Sequence, residues 1–233
     1  MFQFLNDPPP FLFFTGKGGV GKTSLACASA VALCDAGKRV LLVSTDPASN
    51  VGQVFATTIG NRVTAIAAVP GLSALEIDPP AAAKAYRERI VGPVRGKLPE
   101  SVVRSIEEQL SGACTTEIAA FDEFTAPMMQ LQDPKQTKVL IVTLPEPTPV
   151  QVQEEANLQA DLHRAGIEPW AWLINHSLQQ AAVSSPLLQQ RAERQLPHIE
   201  AVEQLHASRY AVMPLLAEEP VGSDALRRLC QHH

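Results

Sequence analysis

Cysteine is scarce in this sequence, and no two cysteines form a C-x-x-C pair. The four cysteines are Cys27, Cys34, Cys114 and Cys230. Structural zinc sites and thioredoxin-type redox sites use closely spaced pairs, so neither class is indicated. Unpaired thiols are the default in a reducing cytosol. Cys27 and Cys34 lie seven residues apart on one helical face, which indicates core positions rather than a site.

Long apolar runs and an excess of basic residues are also missing. No apolar stretch approaches the roughly 20 residues that a membrane-spanning helix requires. The start of the chain has no basic region and no cleavage site, so no secretory signal is predicted. The formal net charge of -5 argues against a nucleic-acid partner, which needs a basic face. We therefore expect a cytoplasmic protein that reaches a membrane only through a partner.

Short apolar runs alternate with helical stretches along the chain. The runs, typical of strands buried on both faces of a parallel sheet, are Phe11–Phe14, Val40–Ser44, Leu72–Ile77, Val139–Leu144, Trp170–Ile174 and Tyr210–Met213. Helices are predicted over Thr23–Ala36, Pro149–Ala165 and from an N-cap at Ser223 to about Cys230. The alternation predicts one α/β domain over 1–233, with a mostly parallel, doubly wound sheet and helices on both faces. Residues from about 81 to 124 have helical patterning without a strand, which indicates a helical insertion.

A glycine-rich loop, GKGGVGKT, lies between the first strand and the first helix and matches G-x-x-x-x-G-K-[ST] in full. This pattern predicts a P-loop NTPase fold, because glycines let backbone N–H groups point at phosphate oxygens and the helix N-terminus adds a positive dipole end. Lys22 is expected to bind the β- and γ-phosphates of ATP, and the Thr23 hydroxyl to ligate Mg²⁺. The predicted binding residues are Gly16, Lys17, Gly18, Gly19, Val20, Gly21, Lys22, Thr23 and Ser24.

An acidic turn follows the second predicted strand. Asp46 lies at the carboxyl end of that strand, where open α/β sheets bind ligands. A carboxylate there could orient the attacking water or hold Mg²⁺ through water. Taken alone, an Asp-Pro turn is more often only a turn; the nearby phosphate loop favours the functional interpretation.

Four sequence blocks together resemble the arsenical pump-driving ATPases, cytosolic ATPases that energise a membrane arsenite exporter. The blocks are GKGGVGKTS, LLVSTDPASNVGQVF, PGLSALEIDP and LSGACTTEIAAFDEF. The resemblance implies that Lys17 is the signature lysine of a deviant Walker A loop, which reaches the partner's phosphates in a nucleotide-bridged dimer or face-to-face pair. It also implies that Asp46 orients water in switch I, that Asn175 faces the adenine, and that Pro214 and Leu215 pack beside the base.

Cys114 matches a metalloid-binding cysteine of the same family. Soft thiolates suit trivalent arsenic or antimony, so arsenite or antimonite is a candidate effector. One cysteine cannot supply the three thiolates that such an ion prefers, and a dimer would bring only two. The alternative is that Cys114 is a small buried hydrophobe.

The chain departs from the family pattern in having a single phosphate loop. Its first part resembles the opening of the family's first half, and the part from about 128 resembles the end of its second half, which predicts a junction at about 121–129. The switch II segment DTAPTGHT, whose strand normally lies beside the phosphate-loop strand, is absent. Asp78 and Glu146 follow strands and could be misread as replacements, but both match other family elements.

Two classes of function therefore stay open. The first is an ATPase that drives arsenite or antimonite efflux, peripheral at the inner membrane through its exporter. The second is a nucleotide-binding remnant without turnover, because switch II is absent. Plasmid-partition and tail-anchored-protein targeting ATPases are further alternatives; the latter use a C-x-x-C zinc pair, which this chain lacks.

Overall fold

The computed structural model describes residues 3–9, 11–16, 19–45, 50–111, 119, 138–144, 147–164, 166, 168–181 and 183–231. The strands are β1 (Phe11–Thr15), β2 (Val40–Ser44), β3 (Thr64–Ala65), β4 (Leu72–Glu76), β5 (Lys138–Leu144), β6 (Pro169–Ser177) and β7 (Tyr210–Pro214). The α-helices are α1 (Lys22–Asp35), α2 (Val51–Val54), α3 (Pro79–Val91), α4 (Glu100–Gln109), α5 (Pro149–Arg164), α6 (Pro186–Ala201) and α7 (Ser223–Leu229).

All six predicted strands are present, and their pairing is mostly parallel. β1, β5, β6 and β7 form one sheet in that order, with every neighbouring pair parallel. β2, β4 and β3 form a second sheet, in which β2 and β4 are parallel and the two-residue β3 is antiparallel to β4. The predicted α/β class with a mostly parallel sheet is confirmed.

Helices cover both faces of the larger sheet, as the alternation of side chains along β6 demonstrates. Leu173 packs into the cluster that contains the buried residues of α1 and α7. Its neighbours Trp172 and Ile174 pack into a second cluster with Val152 of α5 and Ile199 of α6. Because successive strand residues point to opposite faces, the two clusters lie on opposite sides of the sheet.

The sheet is interrupted between the strand that precedes the phosphate loop and the strand that precedes Asp46. Among the residues that the structure describes, no ladder of hydrogen bonds joins β1 to β2. α1 nevertheless contacts both strands. The side chains of β1 and β2 are all only partly buried, although their sequences, FLFFT and VLLVS, are those of interior strands. The two strands therefore lack the burial that their composition predicts.

Several element boundaries differ from the sequence prediction. α1 begins at Lys22 rather than Thr23, and Gly222 rather than Ser223 is the N-cap of α7. α2, α6 and β3 were not predicted. Pro197 inside α6 is a helix-breaking signal, and the helix continues into a π-helical turn at Val202–His206.

The phosphate-loop helix α1 is fixed at its far end by a glycine and an ion pair. Gly37 has a φ of 84°, and its N–H donates to the Cys34 carbonyl while that of Lys38 donates to Leu33, which is a Schellman ending. Asp35 accepts hydrogen bonds from Arg227 of α7 at 2.8 and 3.0 Å. These bonds lower the pKa of Asp35 from its ordinary value.

Replacing Arg227 with alanine is expected to lower the free energy of unfolding at pH 7 by up to about 1 kcal/mol, since the pair is partly exposed. The lowered pKa of Asp35 means that the pair stabilises the fold above about pH 4, the ordinary aspartate value, and that this contribution is lost as the pH falls through the lowered value. Urea denaturation of both proteins between pH 7 and pH 3 tests this. The exposed neighbour Arg228→Ala is the matched control, and a difference that does not shrink in acid would contradict the prediction.

Candidate functional site

The described part of the phosphate loop has the backbone of an anion cradle. Gly16, Gly19 and Gly21 have φ values of 142°, 75° and 82°, a region that side-chain-bearing residues rarely adopt. Gly21 is the N-cap of α1 and provides no side-chain hydrogen bond to the helix N-terminus. The first turn of α1 also contains no acidic residue. The N-terminus of this 14-residue helix thus has the positive dipole end that suits an anion.

The first residues of α1 carry the polar groups that a nucleotide triphosphate and its metal ion require. Lys22, Thr23 and Ser24 are all partly exposed, so their side chains are accessible to a ligand. Val20, by contrast, is 2% exposed and anchors the loop in the protein interior. A lysine ammonium fits phosphate oxygens, and a hydroxyl oxygen fits the hard Mg²⁺ ion. The donor set at this helix start therefore suits both phosphates and Mg²⁺.

Asn175, at the carboxyl end of β6, lies directly against the phosphate loop. Its Nδ2 donates a hydrogen bond to the Val20 carbonyl oxygen at 3.0 Å. A Cβ built on Gly21 would lie only 2.3 Å from the same nitrogen. Asn175 is 8% exposed, so this amide is buried against the phosphate loop.

The segment predicted to pack beside the base lies next to Asn175. Pro214 pairs with Ser177 in the β6–β7 register, and the Leu215 N–H donates to the Ser177 carbonyl at 2.9 Å. Pro214 is buried, whereas Leu215 is 46% exposed and offers apolar surface. The structure therefore brings the phosphate loop, Asn175 and the Pro214–Leu215 segment to the carboxyl ends of the parallel strands, where α/β sheets bind ligands.

Five residues considered in the sequence analysis lie outside the described residues, and their roles stay predictions. They are Lys17, Gly18, Asp46, Cys114 and Glu146. Asp78 is described: it is the N-cap of α3, and its side chain accepts a hydrogen bond from the Ala81 N–H at 3.1 Å. Its position at a strand end is explained by this cap.

Glu76, the last residue of β4, was not among the predicted site residues. Its Oε1 accepts a hydrogen bond from the Val51 N–H at 2.8 Å, and its own N–H donates to the Gly60 carbonyl at 3.0 Å. Val51 follows Asp46 by five residues, so Glu76 fixes the chain just beyond the predicted switch I turn. The available signal was a carboxylate at the end of an apolar strand, which is costly to bury without a partner.

Comparison with known sequences agrees with this geometry. The sequence model of the family described as anion-transporting ATPase matches residues 10–131 and 127–232. The chain belongs to this family. The resemblance found in the sequence is confirmed, and so is the P-loop fold that it implies.

Three relatives of known name match parts of the chain. An arsenical pump-driving ATPase from Escherichia coli is 75% identical over 123 residues, which are 53% of this chain and 21% of that protein. A putative arsenical pump-driving ATPase from Halobacterium salinarum is 43% identical over 162 residues, 69% of this chain and 25% of the relative. An ATPase get3 from Schizosaccharomyces japonicus is 43% identical over 79 residues, 34% of this chain and 24% of the relative. The chain spans between a fifth and a quarter of the length of these relatives.

Three of the four cysteines in this family member are core residues. Cys27, Cys34 and Cys230 are buried free thiols. Burial raises the pKa of Cys27 and of Cys230 to about 12, so both stay protonated at neutral pH and are poor metal ligands. Cys230 instead donates to the Ala28 carbonyl at 3.1 Å, which helps to hold α7 on α1. The core interpretation of Cys27 and Cys34 is confirmed.

The described residues contain neither a cluster of metal ligands nor a membrane-spanning helix. No group of three or more His, Cys, Asp or Glu side chains in these ranges is arranged to hold a metal ion. No helix in the same part of the chain combines the length and apolarity needed to cross a membrane. A mainly apolar groove of about 590 Å³ lies between the start of α5 and α6, and no phosphate-loop residue lines it.

Proposed function

We propose that this chain binds Mg·ATP at the phosphate loop and hydrolyses it to energise arsenite or antimonite efflux through a membrane exporter. The observation that carries the proposal is the glycine-led N-terminus of α1, with positive φ values at Gly16, Gly19 and Gly21 and with Lys22 and Thr23 as the first residues of the helix. Identities of 71–75% to arsenical pump-driving ATPases over about half the chain support the metalloid assignment. The exporter, the cytoplasmic location at the inner membrane and the pairing of two such domains belong to the same proposal.

The proposed chemistry relies on positioning and charge. Mg²⁺, when bound, neutralises phosphate charge. Lys22 and the N–H groups at the start of α1 hold the phosphate oxygens, and these donors stabilise charge that develops during transfer. Thr23 and, through water, Asp46 hold the ion. Asp46 also orients the attacking water, and Lys17 of a paired domain acts on the same phosphates.

Recognition of the base is assigned to the ends of β6 and β7. Asn175 has the amide that can pair with an adenine edge. Leu215, whose N–H donates to the Ser177 carbonyl at the end of β6, is 46% exposed and offers an apolar face on which an aromatic base can pack. The bond between Asn175 and Val20 supports this assignment, because it places the residue next to the loop that holds the phosphates.

A second candidate is nucleotide binding without turnover. It is favoured by the interruption between β1 and β2, where a strand bearing switch II would lie in the family pattern. The two matches to the family model overlap at 127–131, which supports a junction near 121–129. We place this junction within a single domain over 1–233, with a helical insertion at about 81–124. A chain joined in this way would retain the phosphate loop and lose switch II, one of the two segments that contact the γ-phosphate.

The test measures Mg·ATP affinity and phosphate release on one purified, folded sample, with and without antimonite. The pump-ATPase proposal predicts binding, phosphate release, and faster release with antimonite. Replacing Cys114 with serine is expected to remove the stimulation and to leave the unstimulated rate unchanged. Binding without phosphate release would favour the second candidate, and no binding at all would overturn both.

A further inference from the structure

We infer that Asn175 is a positioning residue that holds the phosphate loop in its ligand-binding shape, whatever contact it makes with a base. The inference rests on the proposed function, since it concerns the same loop. It assigns Asn175 to the phosphate end of the nucleotide as well as to the adenine end.

The backbone around Asn175 is bent in a way that directs its side chain to the loop. The next residue, His176, has a φ of 54°, an unfavourable value for a residue with a side chain. The β6–β7 register shifts between Ile174 and Ser177, which is the irregularity that re-aims a side chain within a strand. Strain of this kind persists only where the surroundings impose it, and it often accompanies a functional constraint.

The contact between Asn175 and the loop is tight. The bond from Nδ2 to the Val20 oxygen joins residues separated by 155 positions in the sequence. The 2.3 Å separation between Nδ2 and an added Gly21 Cβ leaves no room for any side chain there. Glycine at position 21 is therefore required both by its φ of 82° and by the amide beneath it.

The chemical consequence concerns the orientation of the loop carbonyl. A carbonyl oxygen turned toward a triphosphate would repel it, whereas N–H groups attract it. Because the Val20 oxygen accepts a hydrogen bond from Asn175, it is held toward the end of β6. This orientation turns the carbonyl oxygen away from the phosphates that the positive end of α1 would attract.

The test compares the affinity for Mg·ATP with the affinity for magnesium tripolyphosphate, a ligand that has three phosphates and no base. Asn175→Asp keeps the size of the side chain and replaces the donor with an acceptor that faces the Val20 oxygen. Calorimetry is expected to give a loss of about tenfold or more in affinity for both ligands in Asn175→Asp and in Asn175→Ala. Loss of Mg·ATP affinity with unchanged tripolyphosphate affinity would overturn the inference, because Asn175 would then act through the base alone.

The matched control is Gln195→Ala. Gln195 is another buried amide, 3% exposed, which accepts a hydrogen bond from the Leu178 N–H at 2.8 Å just beyond β6. This variant is expected to lose stability in chemical denaturation and to keep wild-type affinity for tripolyphosphate. An equal loss in the control would overturn the inference, since any buried amide would then serve. Failure of the wild-type protein to bind either ligand would instead contradict the proposed function.

Discussion

Lys22→Ala is expected to weaken Mg·ATP binding by about 10- to 150-fold. The lysine directly follows the αL glycine Gly21 and is the first residue of α1, whose N-cap glycine offers no side-chain hydrogen bond. One charge-assisted hydrogen bond is worth roughly 1.5–3 kcal/mol, and the alanine variant loses both the bond and the charge. Calorimetric titration with Mg·ATP measures the loss directly.

Lys38→Ala is the matched control for this variant. Lys38 is exposed and lies after the end of α1, at the opposite end of the helix from the loop. Removing it deletes one positive charge, so the net charge of the protein changes by the same amount as in Lys22→Ala. The control is expected to bind Mg·ATP within about twofold of wild type, since distant exposed charges are screened. Equal losses in the two variants would mean that Lys22 has no specific contact with phosphate.

Gly21→Ala is expected to remove measurable Mg·ATP binding and to destabilise the fold. The αL backbone at this position costs a residue with a Cβ about 1–2 kcal/mol. In addition, the new Cβ would lie 2.3 Å from Nδ2 of Asn175, so either the loop or β6 must shift. Because the N–H groups of the loop must converge on the phosphates, a shift of this size disrupts the site. Thermal denaturation and calorimetric titration give the two effects separately.

Gly19→Ala separates the strain of the backbone from the collision. Gly19 has a similar φ of 75°, but among the described residues beyond its chain neighbours an added Cβ there meets no atom within 4 Å. Gly19→Ala is expected to lose as much stability through backbone strain as Gly21→Ala does through the same cause, and to retain much of its nucleotide affinity.

The double variant Gly21→Ala with Asn175→Ala removes the colliding amide, and its loss of stability is expected to be smaller than the sum of the two single losses. If the double variant loses as much stability as the two single variants together, the Gly21 Cβ does not collide with Asn175 and the prediction is wrong.

Most secondary structure was predictable because its signals are local. The runs that became β1, β2, β4, β5, β6 and β7 are continuous and apolar, and parallel strands covered on both faces require that pattern. The elements that were missed have weak or contrary local signals. β3 has only two residues, and α6 contains a proline that is normally excluded from a helix interior.

The sequence by itself determined the phosphate-loop motif and its place between β1 and α1, since its glycines, Lys22 and Thr23 are contiguous. Family membership followed from the same local blocks. Tertiary structure alone decided which distant groups these segments contact. Asn175 meets Val20 across 155 residues and Glu76 meets Val51 across 25, and no local pattern encodes either contact. The sequence shows that the switch II strand is absent, but only the assembled structure shows that, within the described ranges, β1 and β2 do not pair across the gap.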